Sequence, residues 1–221
     1  MNKFFNALLL FFLFPTMALA IFVGFDLPIE ILKVSGASLP YRKEAFLVLG
    51  LILLIINLRR SIRRWMGMRL ITQTSKFKWN VQISKERKQR VIVYTLLEAM
   101  VFGFVGTALY QVCPEAFLPA IAFWFATVDN LIFILFGSIR NTFRIGLTSK
   151  AIVFSDRDVQ LIYFSGLRKV EIHQLSIYFD YIKELQLIIP LDSVPDESKK
   201  EFFEAIEASV NKDKVFFQVK N

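Results

Sequence analysis

The chain is short of metal and redox chemistry: it has one cysteine, Cys113, and one histidine, His173. One cysteine excludes an internal disulfide framework, and the two residues together cannot supply the ligands of a typical zinc site. Only 7 Pro and 9 Gly occur in 221 residues, which excludes collagen-like repeats and Pro/Gly-rich disorder. No Gly-x-Ser-x-Gly elbow, phosphate loop or dinucleotide fingerprint is present, and no Ser or Cys has an identifiable His partner. His173 falls in an expected strand, where a structural or surface role outweighs that of a base. The sequence therefore predicts no enzyme, no cofactor and no metal. What is abundant is apolar surface: 55% of residues are hydrophobic, 24 of them Phe, and the mean hydropathy is +0.48. Soluble domains run at about 45–50% apolar residues, so a membrane protein is expected.

Charge is distributed unevenly. Residues 91–139 contain no Lys or Arg, whereas residues 59–90 hold eleven basic side chains against one acid, Glu86. The formal net charge of +8 thus belongs to one connecting segment. Nucleic-acid binding is one reading of such a patch. The simpler one is a cytoplasmic loop beside membrane spans, where Lys and Arg accumulate, and no nucleic-acid partner is expected.

Four stretches are long enough to cross a bilayer core, at about 4–25, 45–58, 91–112 and 117–137. Residues 113–116 leave only a tight turn between the last two, which predicts an antiparallel hairpin. A cytoplasmic 59–90 loop places both termini inside, and Lys3, Arg140, Arg144 and Lys150 agree with that. Ala18-Leu19-Ala20 after an apolar run also has the shape of a signal-peptide cleavage site. The run continues through Phe25, however, which favours an uncleaved anchor. After the second span, Ile62, Trp65, Met66 and Leu70 recur among arginines at spacings of three and four. That pattern predicts a helix at the headgroups, with Arg59, Arg60, Arg63, Arg64, Trp65 and Arg69 contacting anionic lipid or simply anchoring the span.

Two acids fall inside the spans. Glu98 lies seven residues after Val91, and Asp129 lies eight before Gly137. At a rise of 1.5 Å per residue, both sit about 10–12 Å from the same boundary. Neither is expected to have a basic partner in any span, since residues 91–139 contain no Lys or Arg. Ionisable groups at such depth are candidates for function. Two readings follow: hydrogen-bonded glue between helices, with Thr95 or Asn130 as partner, or a proton or cation site shared by two carboxylates.

After Arg140 the pattern changes to alternation. Residues 143–155, 159–164, 167–173, 175–181 and 185–189 read as strands, and a helix is expected from Pro195 with Phe202, Phe203, Ile206 and Val210 on its apolar stripe. A last strand is expected over 215–219. The fold class that follows is a four-helix membrane bundle, residues 1–139, and a small cytoplasmic α+β domain, residues 140–221. The run Ile145-Gly146-Leu147-Thr148-Ser149-Lys150-Ala151-Ile152-Val153 and the later Ile188-Ile189-Pro190 before an acidic helix carry a resemblance to a known family. They resemble the pleckstrin-homology-like domains attached to bacterial membrane proteins. The resemblance covers about residues 140–210. It implies a curved antiparallel sheet capped by one helix, in a multi-pass protein of the bacterial inner membrane. It also implies a non-enzymatic scaffold or interaction module, whose partner would be a protein or a second copy, while membrane lipids are expected at the basic segment 59–90. The alternative is a small oligomeric transporter using Glu98 and Asp129.

Overall fold

The structure, a computed structural model, describes residues 2–29, 34–182, 185–210 and 215–218, with the side chains of residues 2–4 and 29 excepted. Val219, expected in the last strand, and the side chain of Lys3, used for orientation, lie outside the described residues. Four helices are long and apolar enough to cross a membrane: α1 (Asn2–Gly24), α2 (Arg42–Ile71), α3 (Lys85–Val112) and α4 (Phe117–Ile139). Each contains one of the expected spans. The 30-residue α2 runs without a break from its apolar half through the arginine-rich half. Two-residue strands β1 (Pro28–Ile29) and β2 (Val34–Ser35) pair between α1 and α2.

The chain divides into two compact units, and α2, α3 and α4 each contribute to both. The first unit holds residues 1–62 and 95–133. Its helices alternate in direction. Arg42, at the start of α2, pairs with Glu115 in the α3–α4 turn at 2.8 Å. Where two helix backbones approach closely, only a missing Cβ fits. A Cβ on Gly50 of α2 would lie 2.8 Å from Leu118 Cγ and Pro119 Cδ, and one on Gly106 of α3 would lie 2.8 Å from Trp124 Cδ1. Small residues permit such approaches between membrane helices. The interior is closed by Phe46, Leu53, Leu109, Ala120, Ala122 and Phe123, each no more than 3% exposed. Outside the membrane-length helices, Asp26 accepts the Ala37 N–H at 2.7 Å. That bond, with help from Ser35, holds the Asp26 carboxyl below its usual range by favouring the charged form.

The second unit holds residues 63–94 and 134–221. It contains two four-stranded sheets. One runs in the order β3 (Trp79–Gln82), β4 (Arg144–Leu147), β5 (Ala151–Ser155), β6 (Val159–Tyr163), all antiparallel. The other has β10 (Phe216–Gln218) parallel to β7 (Leu167–His173), followed by β8 (Ser176–Tyr181) and β9 (Gln186–Pro190). Helix α5 (Lys199–Ser209) buries Phe202 and Ile206 completely.

Three expectations change here. The stretch 143–155 is two strands rather than one, because Thr148 Oγ1 accepts the Ala151 N–H at 3.0 Å and closes a turn. The helix expected from Pro195 begins as one 3-10 turn, Asp196–Ser198, and turns α-helical at Lys199. The third change is larger. The segment 59–90 is not only a basic loop, and the boundary at 139/140 does not separate the β domain from what precedes it. Residues 79–82 form β3 and pair with β4 in the register Trp79↔Leu147, Val81↔Ile145 and Gln82↔Arg144. The Trp79 ring also packs on Phe202 of α5 at 5.3 Å between centroids. The physical reason is burial. Ile145, Gly146 and Leu147 are all buried in β4, which needs a neighbour on each edge.

Candidate functional site

One face of α2 carries Asn57, Arg60, Ser61 and Arg64 at spacings of three and four, the spacing of a single helix face. Asn57, Ser61 and Arg64 are no more than 7% exposed, and Arg64 is the largest of the fully buried side chains. Three members of this face engage the neighbouring helices of the first unit. Asn57 Nδ2 donates to the Ala122 carbonyl at 3.2 Å. Arg60 meets Glu98 through both ends of its guanidinium, Nη1 to Oε1 at 2.6 Å and Nη2 to Oε2 at 2.8 Å. Ser61 Oγ donates to Asp129 Oδ1 at 2.6 Å.

Consecutive residues of α2 therefore reach one acid each. The two carboxylates share a level in the bundle, as their positions in the sequence imply. The expectation that neither acid has a basic partner does not survive for Glu98, whose cation, Arg60, comes from α2. A bidentate Arg–carboxylate pair is the strongest form of charge-assisted hydrogen bond. At 15% and 16% side-chain exposure, this one is largely removed from solvent. Thr95 and Asn130, the expected partners, are buried beside the acids in sequence, at 0% and 1% exposure. Thr127 Oγ1 donates within α4 to the Phe123 carbonyl at 3.0 Å and also lies 3.3 Å from the Ala99 carbonyl of α3.

The expected headgroup set thus divides. Arg59, Arg63 and Arg69 are exposed, as lipid contact requires, while Arg60 and Arg64 turn inward. Trp65 is half-buried and stacks edge-on against Phe136 of α4 at 5.7 Å. This half-helix also has an exposed apolar stripe: Leu58, Ile62, Met66 and Leu70. The polar periodicity of Asn57, Arg60, Ser61 and Arg64 is the signal that locates the site. It is hidden within a run of arginines that reads as a membrane flank.

A second polar cluster lies in the other unit, at the start of α3. Arg87 Nη2 meets Asp156 Oδ2 at 2.6 Å, and Arg90 meets Asp192. Ser84 Oγ donates to the Asp192 carbonyl at 2.6 Å and accepts the Arg87 N–H at 3.1 Å. Two more of the basic residues of 59–90 are therefore bound to acids of the β domain. His173 is exposed and lies edge-on to Tyr178, with centroids 6.2 Å apart. Cys113 is buried. Among the described residues, no group of three or more His, Cys, Asp or Glu is placed to hold a metal ion. No protein-family model, no curated protein and no solved structure matches this chain.

Proposed function

We propose that this is a non-enzymatic integral membrane protein of the bacterial inner membrane that holds a pleckstrin-homology-like interaction module at the cytoplasmic face. The observation that carries the reading is the pairing of β3 with β4. These strands flank the α3–α4 hairpin in sequence, so the sheet closes only when the hairpin returns. The module is tied to the spans through α2 before β3, through α3 after it and through α4 before β4. Two antiparallel-rich sheets followed by one helix agree with the curved, helix-capped sheet that the sequence resemblance implies. The edge strand β6 exposes Leu161 and Tyr163, and β9 exposes Ile188. Apolar side chains on a sheet edge suit a protein partner or a second copy.

The transporter alternative needs Glu98 and Asp129 to exchange a proton or cation with water. Engagement of these acids by Arg60 and Ser61 favours a structural role. The test is ion flux. The full chain in liposomes containing a pH-sensitive dye, under an imposed potential, should move no more protons, Na⁺ or K⁺ than empty liposomes. Asp129→Asn keeps an acceptor for Ser61 and should leave thermal stability within about 1 kcal/mol of the parent. A flux that Asp129→Asn abolishes would establish the transporter instead.

A further inference from the structure

A cavity of about 370 Å³ lies in the second unit, where α2 ends and α4 turns into β4. Its walls are Ile71, Thr72, Thr74, Arg140, Asn141, Thr142 and Arg144. That volume is at the small end of the range for ligand sites. The lining holds two guanidinium groups, three hydroxyls and one amide, with no acid. Among the described residues, neither Arg140 nor Arg144 has a salt-bridge partner. Arg140 instead lies over the Phe136 ring, 5.6 Å from its centroid. Thr142 is 2% exposed, yet its Oγ1 has no hydrogen-bond partner among the described residues, and neither does the buried Nε of Arg144. Buried polar atoms are nearly always satisfied, so these donors point to something that completes them.

We infer that this cavity binds the phosphate of an anionic phospholipid headgroup. Guanidinium forks match phosphate oxygens bidentately, and a threonine hydroxyl adds a third donor. Both α2 and α4 end here, and their carbonyl ends act as roughly half a negative charge each. Two full positive charges outweigh that opposition. The source of the phosphate follows from position. Ile71 closes α2 and Arg140 follows α4 directly, so on the membrane reading the cavity opens at headgroup level. The inference rests on that reading. It is separate from the exposed Arg59, Arg63 and Arg69, which lie on α2 itself.

The test uses the full chain in nanodiscs of phosphatidylcholine with and without phosphatidylglycerol, with retained lipid measured by native mass spectrometry. Phosphatidylglycerol should be retained about tenfold or more over phosphatidylcholine, as charge-assisted bonds of this kind imply. Arg140→Gln/Arg144→Gln should remove that preference, and Lys199→Gln/Lys200→Gln, on α5 and away from the cavity, should keep it. If the double variant does not fold, Thr142→Val and Arg144→Lys each provide a milder version, and a reduced preference in them counts equally. An unchanged preference in all these variants would overturn the assignment. Millimolar inorganic phosphate that binds the cavity and abolishes the preference would overturn the lipid as its source. Failure of the chain to enter the nanodisc would refute the membrane reading instead, and is read separately from the lipid ratio.

Discussion

Arg60→Leu should be the most damaging single substitution in the helical unit, lowering stability by about 3–5 kcal/mol. That is the range for removing one partner from a buried ion pair. The cause is the Glu98 carboxylate left behind, because Arg60 meets both its oxygens and the pair is only 15% and 16% exposed. Glu98→Leu alone strands the guanidinium and should cost a similar amount. The double variant Arg60→Leu/Glu98→Leu should recover most of the loss, since two apolar side chains suit a bundle interior and strand no charge. Thermal unfolding of the four proteins in one detergent gives the coupling directly. A double variant no more stable than Arg60→Leu would mean that the pair is not the interaction that matters. The inward face of α2 would then need another explanation.

The second large effect is all-or-none. In a Cys113→Ser background, an impermeant thiol reagent applied from outside should label Ser35→Cys and should fail to label Ser75→Cys or Ser198→Cys. The basis is the eleven basic residues of 59–90 and the positive-inside rule. The structure adds that Arg42 and Glu115 meet at one end of the bundle, so the α1–α2 and α3–α4 connections belong to the same side. Labelling of Ser75→Cys from outside would invert the orientation and with it the cytoplasmic placement of the β domain.

The four long apolar helices were legible because runs of about 20 apolar residues, as a bilayer demands, occur in few other structures. Strands β6 to β9 were legible because a half-buried strand alternates, as Ile177 and Phe179 do against their polar neighbours. Strand β3 was not. Trp79-Asn80-Val81-Gln82 is only four residues long, half of them polar, and set among lysines, so nothing local marks it. Its partner lies beyond a hairpin of more than fifty residues, and such a pairing leaves no trace in a local pattern. The candidate site was half legible. The depth of Glu98 and Asp129 followed from counting along two helices. Their partners did not, because Arg60 and Ser61 sit where arginines ordinarily reach for headgroups. The inward spacing of Asn57, Ser61 and Arg64 was the clue, and it separates an internal polar face from a membrane flank.

A single cross-link decides whether the sheet spans the hairpin. Gln82 stands opposite Arg144 in the β3–β4 register. Residues directly opposite in antiparallel strands have Cα atoms about 4.5–5.5 Å apart, within the range a disulfide bridges. With Cys113→Ser as background, Gln82→Cys/Arg144→Cys should cross-link on mild oxidation of the full chain in its membrane, and Gln82→Cys/Ser149→Cys should not. Reduction should reverse it. If the first pair fails to cross-link, or cross-links no better than the second, the β domain is not closed by a strand from before the hairpin. Strand β3 would then lie outside the sheet, and the proposed module would not span the hairpin.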